Sequence, residues 1–168
     1  MQYTHLFKQN WLINVFGKTI LTTAESDTFA TRNFEITGYQ VAPKIGYLFS
    51  KNTSWDVFYE YQIKENQIAS FETLEQNRFG TSFTYSGKKQ FTANGEFSLY
   101  NNKYVGNAIS AVGFQMLEGL QPGKNQTWRL LVQKNLTQYL DININYQGRK
   151  SETSKAIHTG SIQLRAFF

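Results

Sequence analysis

At 168 residues, with 12 glycines, two prolines and 16% aromatic residues, the chain has the size of one domain, 1–168. The absence of cysteine excludes a disulfide framework and a thiolate metal site. The net charge is +5 with only 17% of residues charged. No apolar run approaches the roughly 18–20 residues of a membrane helix, which leaves spanning by alternating strands open, because such strands average out in hydropathy.

The opening M-Q-Y-T-H-L-F-K-Q-N has neither a basic n-region nor an apolar h-region, so it does not read as a secretory leader. For an exported protein this implies a mature form or the C-terminal part of a longer chain, and the second is expected. The first expected strand runs from Trp11 to Thr22 and is irregular, with Leu12, Phe16 and Ile20 on its nominally polar face. Residues 23–37, with Glu25 and Asp27, read as loop. Tyr39, Val41, Pro43, Ile45, Tyr47 and Phe49 then share one face of a strand, opposite Gln40, Ala42, Lys44 and Gly46. Pro43 removes one ladder donor from it.

After a short turn at 50–54, Trp55, Val57, Tyr59, Tyr61 and Ile63 alternate with Asp56, Phe58, Glu60, Gln62 and Lys64. Residues 65–76 read as a longer loop. Phe79, Thr81, Phe83 and Tyr85 share the next apolar face, and after the turn at 86–89 Phe91, Ala93, Gly95, Phe97 and Leu99 share another. The stretch 101–124 is turn-rich and ends on a Pro-Gly signal. Trp128, Leu130 and Val132 mark a further strand, and a turn at 135–138 leads into Leu140, Ile142, Ile144 and Tyr146, which alternate with Asp141, Asn143, Asn145 and Gln147. A loop at 149–156 precedes the last strand, in which Ile162, Leu164, Ala166 and Phe168 oppose Gln163 and Arg165. Strict alternation of this kind is a period-2 signal.

Short turns at 50–54, 86–89 and 135–138 alternate with long connections at 23–37, 65–76, 101–124 and 149–156, provided 101–124 is a single excursion. The count is then about eight strands, with both chain ends on the short-turn side. Short turns at one end and long loops at the other is the pattern of outer-membrane barrels, in which the short turns are periplasmic. The expected fold is therefore all-β, an antiparallel up-and-down transmembrane β-barrel of about eight strands, or the C-terminal part of a larger barrel. Rings such as Phe49, Trp55, Tyr85, Phe91 and Tyr139 near the short turns, and Phe79 and Trp128 towards the long loops, suit interfacial girdles. The lumen-facing charged residues are expected to be Lys44, Asp56, Glu60, Lys64, Arg78, Glu96, Arg129, Asp141, Arg149 and Arg165, pairing with one another because an unpaired buried charge is costly.

A terminal strand ending on an aromatic residue resembles the last strand of bacterial outer-membrane barrels. The stretch 115–168, with Q-M-L-E-G-L-Q-P-G-K-N, L-D-I-N-I-N-Y-Q-G-R-K-S-E-T-S-K and I-H-T-G-S-I-Q-L-R-A-F-F, resembles the C-terminal end of large surface or outer-membrane proteins of Bacteroidota. The resemblance implies location in the outer membrane of a Gram-negative bacterium, a longer parent chain, and Phe167 and Phe168 as an assembly signal. It carries no activity.

The expected role is a membrane anchor or part of a transport or secretion barrel, with long extracellular loops as the interaction surface. Its partners are outer-membrane lipid, the barrel assembly machinery and other surface proteins met through those loops. Two alternatives belong to other classes: an outer-membrane barrel enzyme acting on lipid or peptide, and a soluble lipocalin-like binder of small molecules. The enzyme reading rests on His158 near Ser154 and Ser161; the lysine- and serine-rich loop explains those serines as solvated. No cofactor and no metal are expected, since no His, Asp or Glu cluster has ligand spacing. Nucleic acid is not an expected partner either, because Lys and Arg are spread through every segment.

Overall fold

Period-2 alternation becomes a run of long strands joined in sequence order. The computed structural model describes residues 2–7, 9–29, 32–68, 72–87 and 91–167. These form β1 (Gln2–Phe7), β2 (Trp11–Ala24), β3 (Phe34–Ser50), β4 (Thr53–Asn66), β5 (Thr73–Ser86), β6 (Thr92–Val105), α1 (Ala111–Leu117), β7 (Gly123–Thr137), β8 (Leu140–Ser151) and β9 (Ile157–Ala166). Each strand pairs antiparallel with the next, giving one nine-stranded sheet in the order β1 to β9. The sheet is open, with β1 and β9 at its edges.

Three expectations need correction. First, the strands number nine, because β1 precedes the expected first strand and pairs along β2 from Gln2 opposite Phe16 to Phe7 opposite Trp11. With β1 in place, the chain begins at the long-loop end and finishes at the short-turn end. Second, the connection expected at 101–124 shrinks to 106–122 and is not wholly irregular: β6 runs on to Val105, β7 begins at Gly123, and the connection holds α1. Third, the loop expected at 23–37 shrinks to 25–33, because β2 and β3 pair out to Ala24 opposite Phe34. The alternation of short turns and long connections holds throughout.

The ladder between β3 and β4 keeps one register from Ile36 opposite Asn66 to Leu48 opposite Ser54 but is interrupted at 42–43, where Pro43 has no N–H to donate. Large apolar residues of β2 sit across from small ones of β3: Leu12 opposite Gly46, Phe16 opposite Ala42, Ile20 opposite Gly38. This accommodates the irregular apolar residues on that face of β2.

Helix α1 starts where the Ser110 hydroxyl accepts the Gly113 N–H at 2.9 Å, an N-cap bond. It stops where Glu118, at φ 55°, and Gly119, at φ 74°, turn left-handed. Its apolar side buries Val112, Met116 and Leu117 against Phe34, Ile36 and Leu74 of β3 and β5. That cluster is the hydrophobic core among the described residues, and it lies at the long-loop end of the sheet.

Candidate functional site on the polar face of the sheet

Cross-strand register decides which residues share a face. From Asn14 opposite Lys44, through Glu60 opposite Arg78 opposite Tyr100, Ser82 opposite Glu96 opposite Arg129 opposite Gln147, to Asp141 opposite Arg165, one face collects polar side chains. All ten charged residues singled out from the sequence lie on this face, and so does Lys18, opposite Gln40. Helix α1 packs on the same side, since Leu74 and Lys64 are register partners there.

Across β3 to β6 the distribution of exposure is the reverse of that in an ordinary domain, whereas β9 is exposed on both faces. On the polar face Gln76 is 1% exposed, Ser98 0% and Lys64 6%, whereas on the other face Trp55 is 51% exposed and Ile162 70%. Thr81 accepts the Trp55 indole N–H on that apolar face. Buried polar groups need partners, and most have them. The Gln76 amide donates to Asn102 at 3.0 Å, and Asn125 bonds Ser151 at 2.6 Å and Gln121 at 2.7 Å.

Arg78 is the centre of the charge network. Its guanidinium lies 2.5 Å from Glu96 and 3.6 Å from Glu60, and donates to Ser98 at 3.2 Å. The Phe58 and Tyr100 rings flank it at 4.8 and 5.3 Å, so cation–π attraction adds to the ion pairs. Lys44 pairs with Asp56 at 3.5 Å. Lys64 donates to Glu118 at 2.6 Å and to the Met116 carbonyl at 3.0 Å, which fastens the end of α1 to β4. Arg149 reaches the Gly119 carbonyl at 2.8 Å and fastens the same turn to β8. The residues Glu118, Tyr100 and Lys18 escaped the sequence reading, whereas alternation already puts Ser98 on the polar side of its strand. Strand parity places Tyr100 and Lys18 once the strand ends are known, while Glu118 arrives only through the fold of its connection.

Neighbouring cavities follow this face. One of about 410 Å³ is lined by Lys44, Asp56, Asn94, Glu96 and Arg129, and one of about 450 Å³ by Glu96, Arg129, Gln147, Arg149 and Glu118. They share Glu96 and Arg129, and the second reaches Glu118 and Leu120, just beyond α1.

The imagined pairing of His158 with Ser161 does not form. His158 stacks on Tyr146 and bonds its hydroxyl at 2.8 Å on the apolar face, whereas Ser161, opposite Asn145, belongs to the polar face. Among the described residues no group of three or more His, Cys, Asp or Glu is placed to hold a metal ion. At the terminus, the Phe167 N–H donates to the Tyr139 carbonyl at 2.9 Å, extending the β8–β9 pairing by one bond; Phe168 lies outside the described residues. Phe79 and Trp128 sit well inside β5 and β7 instead of at the long-loop ends, because both strands start earlier than the alternation suggested.

No family model and no curated protein matches this chain. Among solved structures, the NanC porin in a rhombohedral crystal form is similar, with a TM-score of 0.52 at 12% identity. The likeness covers 99% of this chain and 91% of that one. It shows a porin-like antiparallel β fold.

Proposed function

We propose that this chain forms the wall of an outer-membrane β-barrel that lets small polar solutes pass along its polar face. One observation carries the reading: across β3 to β6 the large apolar side chains are the exposed ones, while the polar face there is buried or half-buried. In water such a sheet would leave a continuous belt of Trp, Tyr, Phe, Ile and Leu uncovered, far beyond the patches that monomeric soluble proteins show. In a bilayer the same belt is solvated by lipid. Strands β2 to β9, at 10 to 17 residues, are long enough for the roughly 9–11 residues a tilted spanning strand needs.

In this reading the connections at 25–33, 67–72, 106–122 and 152–156 face outwards and the short turns face the periplasm. Passage, and not mere anchoring, is supported by the adjoining polar cavities, and α1 narrows the outer mouth. The resemblance of 115–168 to Bacteroidota surface proteins agrees with this location.

The test is reconstitution. In detergent the folded protein should migrate differently on gels before and after boiling, and vesicles containing it should swell in small sugars faster than empty ones. A protein that stays monomeric in detergent-free buffer without a heat-dependent shift would sink the membrane reading. A heat shift without swelling would leave a barrel that does not conduct.

A further inference from the structure

The cavity of about 450 Å³ beside the turn after α1 is lined by two arginines. Arg129 of β7 stands opposite Gln147 of β8, and Arg149, two residues further along β8, stands opposite Thr127. Both belong to the polar face, as diagonal neighbours on adjacent strands, a spacing of about 7–8 Å. Strand β9 adds Thr159, opposite Gln147, to the same lining. The volume is usual for a site that takes a small molecule.

These two arginines differ from Lys44, Lys64 and Arg78 in having no carboxylate partner among the described residues. Lys44 is paired with Asp56, Lys64 with Glu118, and Arg78 with Glu96 and Glu60. Arg149 gives one N–H to the Gly119 carbonyl, and Arg129 makes no hydrogen bond or ion pair with a described residue. Two carboxylates, Glu96 and Glu118, line the cavity as well. Each is already held by a cation, Glu96 by Arg78 at 2.5 Å and Glu118 by Lys64 at 2.6 Å. With Glu60 counted, because it shares Arg78, the cations Lys64, Arg78, Arg129 and Arg149 still outnumber the carboxylates. The surplus charge is therefore positive and sits on Arg129 and Arg149. A guanidinium presents parallel N–H donors that match two oxygens of a carboxylate or a phosphate. Gln147, Thr127 and Thr159 surround that position with neutral hydrogen-bonding groups.

We propose that Arg129 and Arg149 form a subsite for a small oxyanion, a carboxylate- or phosphate-bearing solute held on its way along the polar face. The inference rests on the passage proposed above and deepens it with a charge class and a place of selection.

The test is made on single channels of the whole chain in planar bilayers. Under a KCl gradient the reversal potential gives the ratio of chloride to potassium permeability. The unaltered chain should favour chloride, and Arg129→Gln should lower the ratio by about twofold or more. Lys124→Gln removes the same charge from the opposite face, since its neighbour Asn125 shares the polar face with Tyr100, and should leave the ratio where it was. Acetate and inorganic phosphate, added separately, should each reduce the chloride current saturably, and Arg129→Gln should lose most of that inhibition. Inhibition by one probe alone would support the subsite and name its oxyanion. Inhibition by neither, a preference for potassium, or equal shifts from Arg129→Gln and Lys124→Gln would overturn the subsite while passage itself stands. No channel conductance at all would be failure of the passage reading, and the subsite would fall with it.

Discussion

At the scale of single residues, face decides the effect of a substitution more than residue type does. Ile144 pairs with Val132 and Ile162 on the apolar face, and its neighbour Asn143 pairs with Gln133 and Gln163 on the polar one. Ile144→Arg should therefore cost roughly 2–4 kcal/mol of folding stability in vesicles, whereas Asn143→Arg should be much milder. Urea titrations of the two variants provide the comparison; a larger loss for Asn143→Arg would reverse inside and outside. Arg78 makes a second case. Its removal leaves Glu60 and Glu96 facing each other without a cation, in sites where their side chains are 15% and 41% exposed. A fully buried unpaired charge costs about 3–5 kcal/mol, and partial exposure of Glu96 lowers that, so Arg78→Leu should cost about 1–3 kcal/mol. Adding Glu60→Gln and Glu96→Gln should recover most of the loss. Failure of that rescue would mean that ring packing on Phe58 and Tyr100, and not charge, is what Arg78 provides.

At the scale of elements, α1 matters because of where it is held. A helix of seven residues is far too short to be stable alone. Its order comes from Met116 and Leu117 packing on the sheet and from the bonds of Lys64 and Arg149 to the turn after it. Replacing 108–120 by a short Gly-Ser linker should raise the rate of vesicle swelling and admit larger sugars. Unchanged rates would show that the narrowest point lies elsewhere, with the Arg78 cluster the next constriction to widen. Met116→Ala, which leaves a cavity in the buried cluster, should cost about 2–5 kcal/mol if the cluster folds with the sheet. A much smaller loss on denaturant titration would mean that α1 folds and unfolds independently of it.

At the scale of the whole molecule, the two edges of the sheet pose the main structural question. Strands β1 and β9 run in the same direction, because an even number of reversals separates them. Direct pairing of β1 with β9 would be parallel, and an antiparallel closure would require an odd number of further strands between them. In lipid an unpaired edge exposes backbone groups at several kcal/mol each, so closure of either kind is required for insertion. The edge of β2 is not available for it: Asn14 donates to Thr4 at 2.6 Å across the β1–β2 pairing. Cysteines at Thr4 and Asn14 should therefore cross-link under oxidation, and cysteines at Asn14 and Gln163 should not. Efficient Asn14–Gln163 cross-linking would restore a closed eight-stranded barrel and displace β1.

How far the sequence alone reaches is set by the range of each interaction. Alternation is a property of the local backbone, since successive side chains of a strand point to opposite faces. It was enough to assign an all-β antiparallel fold, the order of short and long connections, and the common face of the ten charged residues. Strand ends were less legible, because Glu35, Thr37 and Thr73 look like loop residues until their partners Thr23, Glu65 and Val105 are known. Strand β1, with six residues and a weak alternation, carries too little local signal and owes its place to pairing with β2. The docking of α1 and the capture of Glu118 by Lys64 are contacts between segments distant in the chain. Only the tertiary structure decides these, because register and packing, unlike alternation, depend on which strand lies next to which.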